Sequence, residues 1–140
     1  MRRLGIGLAV LVGVVVLAVS AHMVLIEVGR EVVTLRTQNP DGTWRETRLW
    51  IVDDGPYAWL HSAGSEWLER FEANPIVELE RGGEIRRYRA TPVPGPHPHI
   101  HALLRAKYGV ADRWVRFIGP DTDTAVPVRL EPVPSEDAAD

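Results

Sequence analysis

The residues with the plainest capacity for chemistry lie in Pro96-His97-Pro98-His99-Ile100-His101. His97 and His101 are four apart, so one helical turn would align them as Zn or Cu ligands. His99 joins them only if the segment is extended. The prolines oppose a helix across all three, and no Asp or Glu stands adjacent to orient a ring. The expectation is a His-rich loop at a helix entry, and no metal is assigned. The basic residues form a second group. Arg45 and Arg48 read equally as solvated strand residues or as anion contacts, and Arg86, Arg87 and Arg89 read as an exposed edge strand blunted by charge. Asp53-Asp54 and Glu78/Glu80 read as turn and solvent-face charges. No Ser-His-Asp set, P-loop or dinucleotide glycine fingerprint can be argued from the spacing. With no cysteine there is no disulfide, thiolate metal site or Cys nucleophile.

The elements that must position these residues follow from pattern. Glu31–Thr37 is β-branched and reads as a strand. Gln38-Asn39-Pro40-Asp41-Gly42-Thr43 is a turn cluster, because Pro fixes φ and Asp-Gly suits a left-handed position. Trp44–Val52 is a second strand. On period two, Trp44, Glu46, Arg48, Trp50 and Val52 share one face; Arg45, Thr47, Leu49 and Ile51 share the other. Asp53-Asp54-Gly55-Pro56 turns the chain into a third strand, Tyr57–His61.

Ser65–Ala73 reads as a short helix with an apolar stripe of Trp67, Leu68 and Phe71. Ser62 or Ser65 can cap its start, and Pro75 forces Asn74 out of the α region. Gly82-Gly83 between Ile76–Arg81 and Glu84–Thr91 is a hairpin signal, since primed turns need positive φ. Ile100–Tyr108 and Ala111–Ile118 read as helices interrupted by Gly109. Ala125–Leu130 is a last strand, with Pro127 suited to an edge or to the strand's first residues. Ser135–Asp140 reads as a disordered acidic tail. Long antiparallel strands with few crossover helices suggest closure into a small barrel. The expected fold is mainly β: a six-stranded split barrel with two or three short helices, over residues 27–134, after one N-terminal transmembrane helix.

That helix is expected over residues 1–26. Leu4 to Ile26 carries no formal charge and as a helix spans about 34 Å, enough for a hydrocarbon core of about 30 Å. A cleavable signal peptide is the rival, with Arg2-Arg3 as its n-region and cleavage near Ala18 to Ala21. The apolar run continues through Met23–Ile26, past any such site, which favours a retained anchor. Arg2 and Arg3 before the span weakly favour an extracytoplasmic domain. The chain carries 16 Lys and Arg against 19 Asp and Glu, and two of the arginines precede the span. The remainder is acidic, which argues against a nucleic-acid or polybasic membrane surface.

Three stretches together resemble the deazaflavin-dependent nitroreductase family, within the pyridoxamine-phosphate-oxidase-like split-barrel superfamily. Asp41–Leu49 (D-G-T-W-R-E-T-R-L) is similar to the family's S-G-x-x-R-x-T-P-L, with Arg45 and Thr47 in register. His61–Pro75 (H-S-A-G-S-E-W-L-E-R-F-E-A-N-P) is similar to A-S-x-G…W-Y-x-N-L-x-A-N-P, with Ser62, Gly64, Trp67, Ala73, Asn74 and Pro75 in place. The Gly82-Gly83 hairpin and its basic strand follow, and Ala125–Pro132 resembles the closing I-P-V-V-x-L-x-P. The likeness covers about residues 31–132.

This resemblance implies a deazaflavin (coenzyme F-420) or FMN lying across the second and third strands. Arg45 and Thr47 would meet its ribityl-phosphate region, with Arg48 as a further basic candidate. His61, Ser62 and Ala63 would hydrogen-bond the ring edge, and Trp67 would stand beside it as core anchor or stacking platform. Tyr108 falls loosely where the family often places a Tyr near the substrate pocket, and a packing role suits it equally. The implied activity is an anchored oxidoreductase passing a hydride to a small or quinone-like acceptor, with membrane lipid around the helix and a homodimer across the barrel. Pro40 and Arg48 depart from the family's Lys and Pro. The alternative is therefore a split barrel without cofactor, serving as a binding or structural module at the membrane.

Overall fold

The computed structural model describes residues 2–61, 65–119 and 125–134. The chain forms two compact units, Met1–Arg30 and Glu31–Asp140. The first is helix α1 (Arg2–Glu27). Its stretch Ile6–Leu25 is long and apolar enough to cross a membrane, a property that signal sequences share.

The second unit is a closed antiparallel barrel of six strands: β1 (Val32–Gln38), β2 (Trp44–Asp54), β3 (Tyr57–His61), β4 (Ile76–Arg81), β5 (Glu84–Pro92) and β6 (Pro127–Pro132). Their order around the wall is β1-β2-β3-β6-β5-β4. Three short helices accompany them: α2 (Ser65–Ala73), α3 (Pro98–Tyr108) and α4 (Val110–Ile118). The expected tail at 135–140 lies outside the described residues.

Local chemistry sets these boundaries. Gly82 and Gly83 take φ of 60° and 83°, the pair of positive values that a two-residue hairpin needs. Asn74 stops α2 as expected: its carboxamide donates to Gln38 Oε1 at 2.7 Å and accepts from the Ile76 N–H at 3.1 Å. Gly109, at φ 54°, separates α3 from α4. One strand differs from expectation. β5 pairs with β4 over residues 84–89 and with β6 over residues 88–92, so it is an edge only at its start. Arg89 faces solvent from within the wall, opposite Glu131, while Arg86 and Arg87 keep the expected edge position beside β4 alone; local pattern does not show where β6 returns. Pro127 opens β6, so its missing N–H interrupts no ladder.

The period-two alternation of β2 divides the core in two. Leu49 and Ile51 point inward with Val33, Leu35, Leu60, Val77, Leu79, Val128 and Leu130, and Phe71 of α2 joins them. Val52 and Trp50 point outward under α3, where Ile100, Leu104 and Tyr108 cover them together with Trp59. Tyr108 fastens that helix. Its ring stacks on Trp50 with centroids 4.4 Å apart and planes 8° from parallel. Its hydroxyl accepts the Ile51 N–H at 3.0 Å and lies 2.8 Å and 2.9 Å from the Glu31 and Ile51 carbonyl oxygens, to one of which it donates. Burial pushes this phenol up to about 12, so it stays a donor at any physiological pH.

Charge closes the same corner. Arg81 donates to Glu31 Oε1 at 2.6 Å and to Asp53 Oδ1 and Oδ2 at 2.7 Å. Lys107 pairs with Glu31 and donates to the Ile51 carbonyl at 2.6 Å. The Arg81 hydrogen bond lowers the Glu31 carboxyl below its ordinary value, with Lys107 assisting, and it lowers Asp53 likewise.

Two outcomes follow. Tyr108→Phe keeps the stack and deletes the hydroxyl, leaving the Ile51 N–H without its acceptor. It should cost about 1–2 kcal/mol in urea unfolding, and a change within error would show that the hydroxyl carries no stability. For the ion network, folded carboxyl pKa values below the unfolded ones mean stability that is complete above about pH 4.5. That stability fades as pH falls through the lowered folded values. Arg81→Met should therefore cost about 1 kcal/mol at pH 7, and its gap from wild type should narrow by pH 3. A gap that stays constant with pH would refute the linkage.

Candidate functional site

β2 is longer than its neighbour. Its register with β3 runs only from Ile51 opposite Leu60 to Asp54 opposite Tyr57. Trp44 to Trp50 pair with β1 alone. One backbone edge of β2 therefore has no strand beside it among the described residues, and this opens a split in the wall where β3 ends and α2 begins. Three residues of the connection, 62–64, lie outside the described residues, so the candidates Ser62 and Ala63 cannot be placed.

The other candidates divide between the two faces of the wall. Arg45 and Thr47 take the inward alternation of β2, opposite Thr37 and Leu35. Arg45 is exposed at the strand's start and Thr47 is half-buried. Arg48 lies on the outward face, opposite Thr34. Trp67 packs against the inner core, edge-on to Phe71 at 6.1 Å. Arg70, which the sequence did not single out, is buried at 5% exposure. Its guanidinium donates to the buried Thr37 hydroxyl at 3.2 Å and lies 5.7 Å from the Trp67 ring centroid. Arg45, Thr37, Arg70 and Trp67 thus form a continuous line at the α2 end of the barrel. Helical spacing could have flagged Arg70, which follows Trp67 by one turn.

His61 goes elsewhere. As the last residue of β3 it is opposite Pro127, and alternation from the inward Leu60 turns its ring outward. There it meets His97 and His101. The His61 Nε2 is 3.3 Å from the Nε2 of each. The ring centroids are 5.3 Å and 5.2 Å from His61 and 4.5 Å from each other. All three rings are half-buried.

The helix brings its two histidines there for definable reasons. Pro98 opens α3 and His97 is its N-cap, outside the α region at φ −133° and ψ 50°. Proline disfavours the α region for the residue before it, and Pro costs nothing at a first helical position. The first turn then closes from the His101 N–H to the His97 carbonyl at 3.2 Å. Ile100, Leu104 and Tyr108, one turn apart, press the helix onto the wall. His99 points away and pairs with Asp54 at 3.1 Å. The expected His-rich helix entry is present; its third histidine is His61, 36 residues before His97, which no local spacing reveals. Of the two roles open to Tyr108 from sequence, pocket or packing, the structure gives it packing.

No protein-family model matches this sequence, and no curated protein matches it. Solved structures do. A heme storage protein from Vibrio cholerae superposes with a TM-score of 0.55 at 15% identity, covering 76% of this chain and 84% of that one. An F420-H2 dependent reductase gives 0.54 at 15% identity, covering 71% and 93%. A putative pyridoxamine 5'-phosphate oxidase from Listeria innocua gives 0.54 at 17% identity, covering 82% and 93%. Identities this low speak to architecture. The domain has the split-barrel fold of these neighbours, an F420-H2 dependent reductase and a putative pyridoxamine 5'-phosphate oxidase among them, as the resemblance over residues 31–132 implies.

Proposed function

We propose that this chain is a membrane-anchored oxidoreductase of nitroreductase type that uses a deazaflavin or FMN to reduce a small or quinone-like acceptor. The observation that carries this reading is the split between β2 and the end of β3. A strand edge without a partner strand offers N–H and C=O groups in a row to the polar rim of a flat ring. The donors fit the anionic end of such a cofactor. Arg45 is exposed at the start of that edge, with Thr47 next on the same face. An exposed guanidinium can take a phosphate in bidentate fashion, and the Thr47 hydroxyl can donate beside it. The start of α2 contributes N–H groups and a favourable dipole. Ser62 and Ala63 keep their proposed part at the ring edge. His61 would contribute through its main chain, since its ring is turned to His97 and His101. Trp50, Val52 and Trp59 are covered by α3, so the ring is confined to the overhang of β2. When bound, the cofactor supplies the hydride chemistry.

The remaining parts of the reading rest on the surface. Helix α1 would anchor the barrel, residues 27–134, beside a lipid-soluble acceptor. Its two N-terminal arginines favour an extracytoplasmic domain. A homodimer finds support in α4, where Val110, Trp114, Val115, Phe117 and Ile118 are exposed. A contiguous apolar patch of this kind commonly marks a contact surface.

A second reading has its own observation. The outward β2–β3 face is filled by protein, and Arg48 stands on the opposite face from Arg45 and Thr47. A barrel without cofactor, serving as a binding module at the membrane, would look the same there. Titration of the full chain in detergent with FMN and with the deazaflavin separates the two. The oxidoreductase reading expects saturable binding of one of them. Arg45→Ala should weaken it about tenfold, equal to about 1.4 kcal/mol, while Arg48→Ala leaves it unchanged. No saturation by either cofactor at about 500 μM, a Kd too weak to retain it, would select the module.

A further inference from the structure

We propose that His61, His97 and His101 form a binding site for a divalent transition metal, Zn²⁺ foremost, on the outer wall of the barrel. The site does not depend on the flavin reading, since it uses the outward face of β3 and the first turn of α3. The three histidines offer ring nitrogens that lie within 4.8 Å of one another. Zinc holds imidazole nitrogen at about 2.0–2.1 Å, and a tetrahedral angle between two such bonds places the nitrogens about 3.3–3.4 Å apart. His61 Nε2 stands 3.3 Å from His97 Nε2 and 3.3 Å from His101 Nε2, the spacing of ligands around one ion.

The hydrogen bonding of His97 agrees. Its Nδ1 lies 2.8 Å from the Gly95 carbonyl oxygen. A carbonyl only accepts, so Nδ1 donates to it, and the neutral ring in that tautomer presents its Nε2 lone pair toward the cluster. Ligating histidines are commonly held this way, by a carbonyl or carboxylate on the far ring nitrogen. Hydrogen bonding alone suits the trio poorly. The His61 Nε2 has one in-plane site, either an N–H or a lone pair, yet it stands equally near two other nitrogens. A cation at the common point satisfies all three lone pairs at once.

The ligand set also limits the metal and its use. Three neutral imidazoles suit Zn, Cu or Ni rather than Mg or Ca. Three protein ligands leave one tetrahedral position, the pattern of sites that keep an exchangeable water or take an outside ligand. Half-burial of all three rings keeps that position reachable from solvent. The scaffold is already assembled, because Pro98 fixes the first turn of α3 and Tyr108 fixes the helix to β2.

The purified chain in detergent, stripped with chelator and titrated with Zn²⁺ against a competing indicator, tests the proposal. Uptake of one equivalent is expected. Co²⁺ at the same stoichiometry should show the visible bands of a tetrahedral ion. His61→Gln, His97→Gln and His101→Gln should each weaken Zn²⁺ at least about tenfold, and His99→Gln, whose ring faces Asp54, should leave it unchanged. Thermal melting adds a check that needs no variant: the wild-type Tm should rise with Zn²⁺ excess, because only the folded chain presents the site. The proposal fails if wild type takes up no single equivalent at about 100 μM Zn²⁺. It fails equally if His61→Gln binds as wild type does, or if His99→Gln loses as much as the other three. Should a variant not fold, the wild-type titration and its Tm decide alone.

Discussion

The docking of Tyr108 on β2 is the contact on which most of this arrangement depends. The phenol does two things at once. Its ring lies flat on Trp50, and its hydroxyl enters the end of the β1–β2 ladder at Ile51 and Glu31. That second role replaces a strand pairing that stops there, since the β1–β2 register ends with Val32 opposite Trp50. A buried N–H at the end of a ladder needs some acceptor, and here a helix supplies it. Lys107, one residue earlier, reaches the same carbonyl and the same glutamate. The helix is thereby fixed in rotation as well as in position. Its other end, with His97 and His101, has little choice about where it meets the wall.

This explains why a barrel with a single closed wall has two cores. A strand with one solvated face would read as a clean alternation of apolar and polar residues. β2 does not: from Trp44 to Arg48 both of its faces are mostly polar. From Leu49 to Val52 both faces are apolar, which is the sequence mark of a strand covered on both sides. β3 repeats it, with Ala58 and Leu60 inward and Trp59 outward. The change from mostly polar to fully apolar along β2 coincides with the place where β3 joins its edge.

Much of the fold could be read from residues in order. The Asn74-Pro75 stop, the Gly82-Gly83 hairpin and the Gly109 break each require a particular backbone state, and the structure has them where those residues stand. The faces of β2 followed from period two alone. What could not be read was whatever depended on distant parts of the chain. Arg86, Arg87 and Arg89 on β5 read alike as protection for an edge, because local pattern cannot say that β6 returns beside Arg89 and not beside the other two. His61 read as the end of a strand and a ring-edge candidate, because its ring partners arrive after another helix and hairpin. Arg70 carried no local signal of its role, and its burial comes with Thr37 on a strand it meets only in three dimensions. The candidates near the split were legible as residue types, and their division between two faces was legible by alternation. Which of the two faces α3 would cover was not.

The overhang of β2 has a further consequence, for what the domain avoids. A closed barrel has no free strand edges, so it offers little for another chain to pair with. The start of β5, residues 84–87, is one exception among the described residues; the stretch Trp44–Trp50 is another, a short template for adding a foreign strand. It is also the most charged part of β2, with Arg45, Glu46 and Arg48 in succession and Trp44 held under the Arg36 guanidinium at 5.5 Å. An incoming strand would have to lay its own side chains between these, desolvating charges along both faces. A small planar molecule touches only the backbone rim and meets no such barrier. The same charges that keep the opening from seeding aggregation would leave it accessible to guests without a backbone of their own.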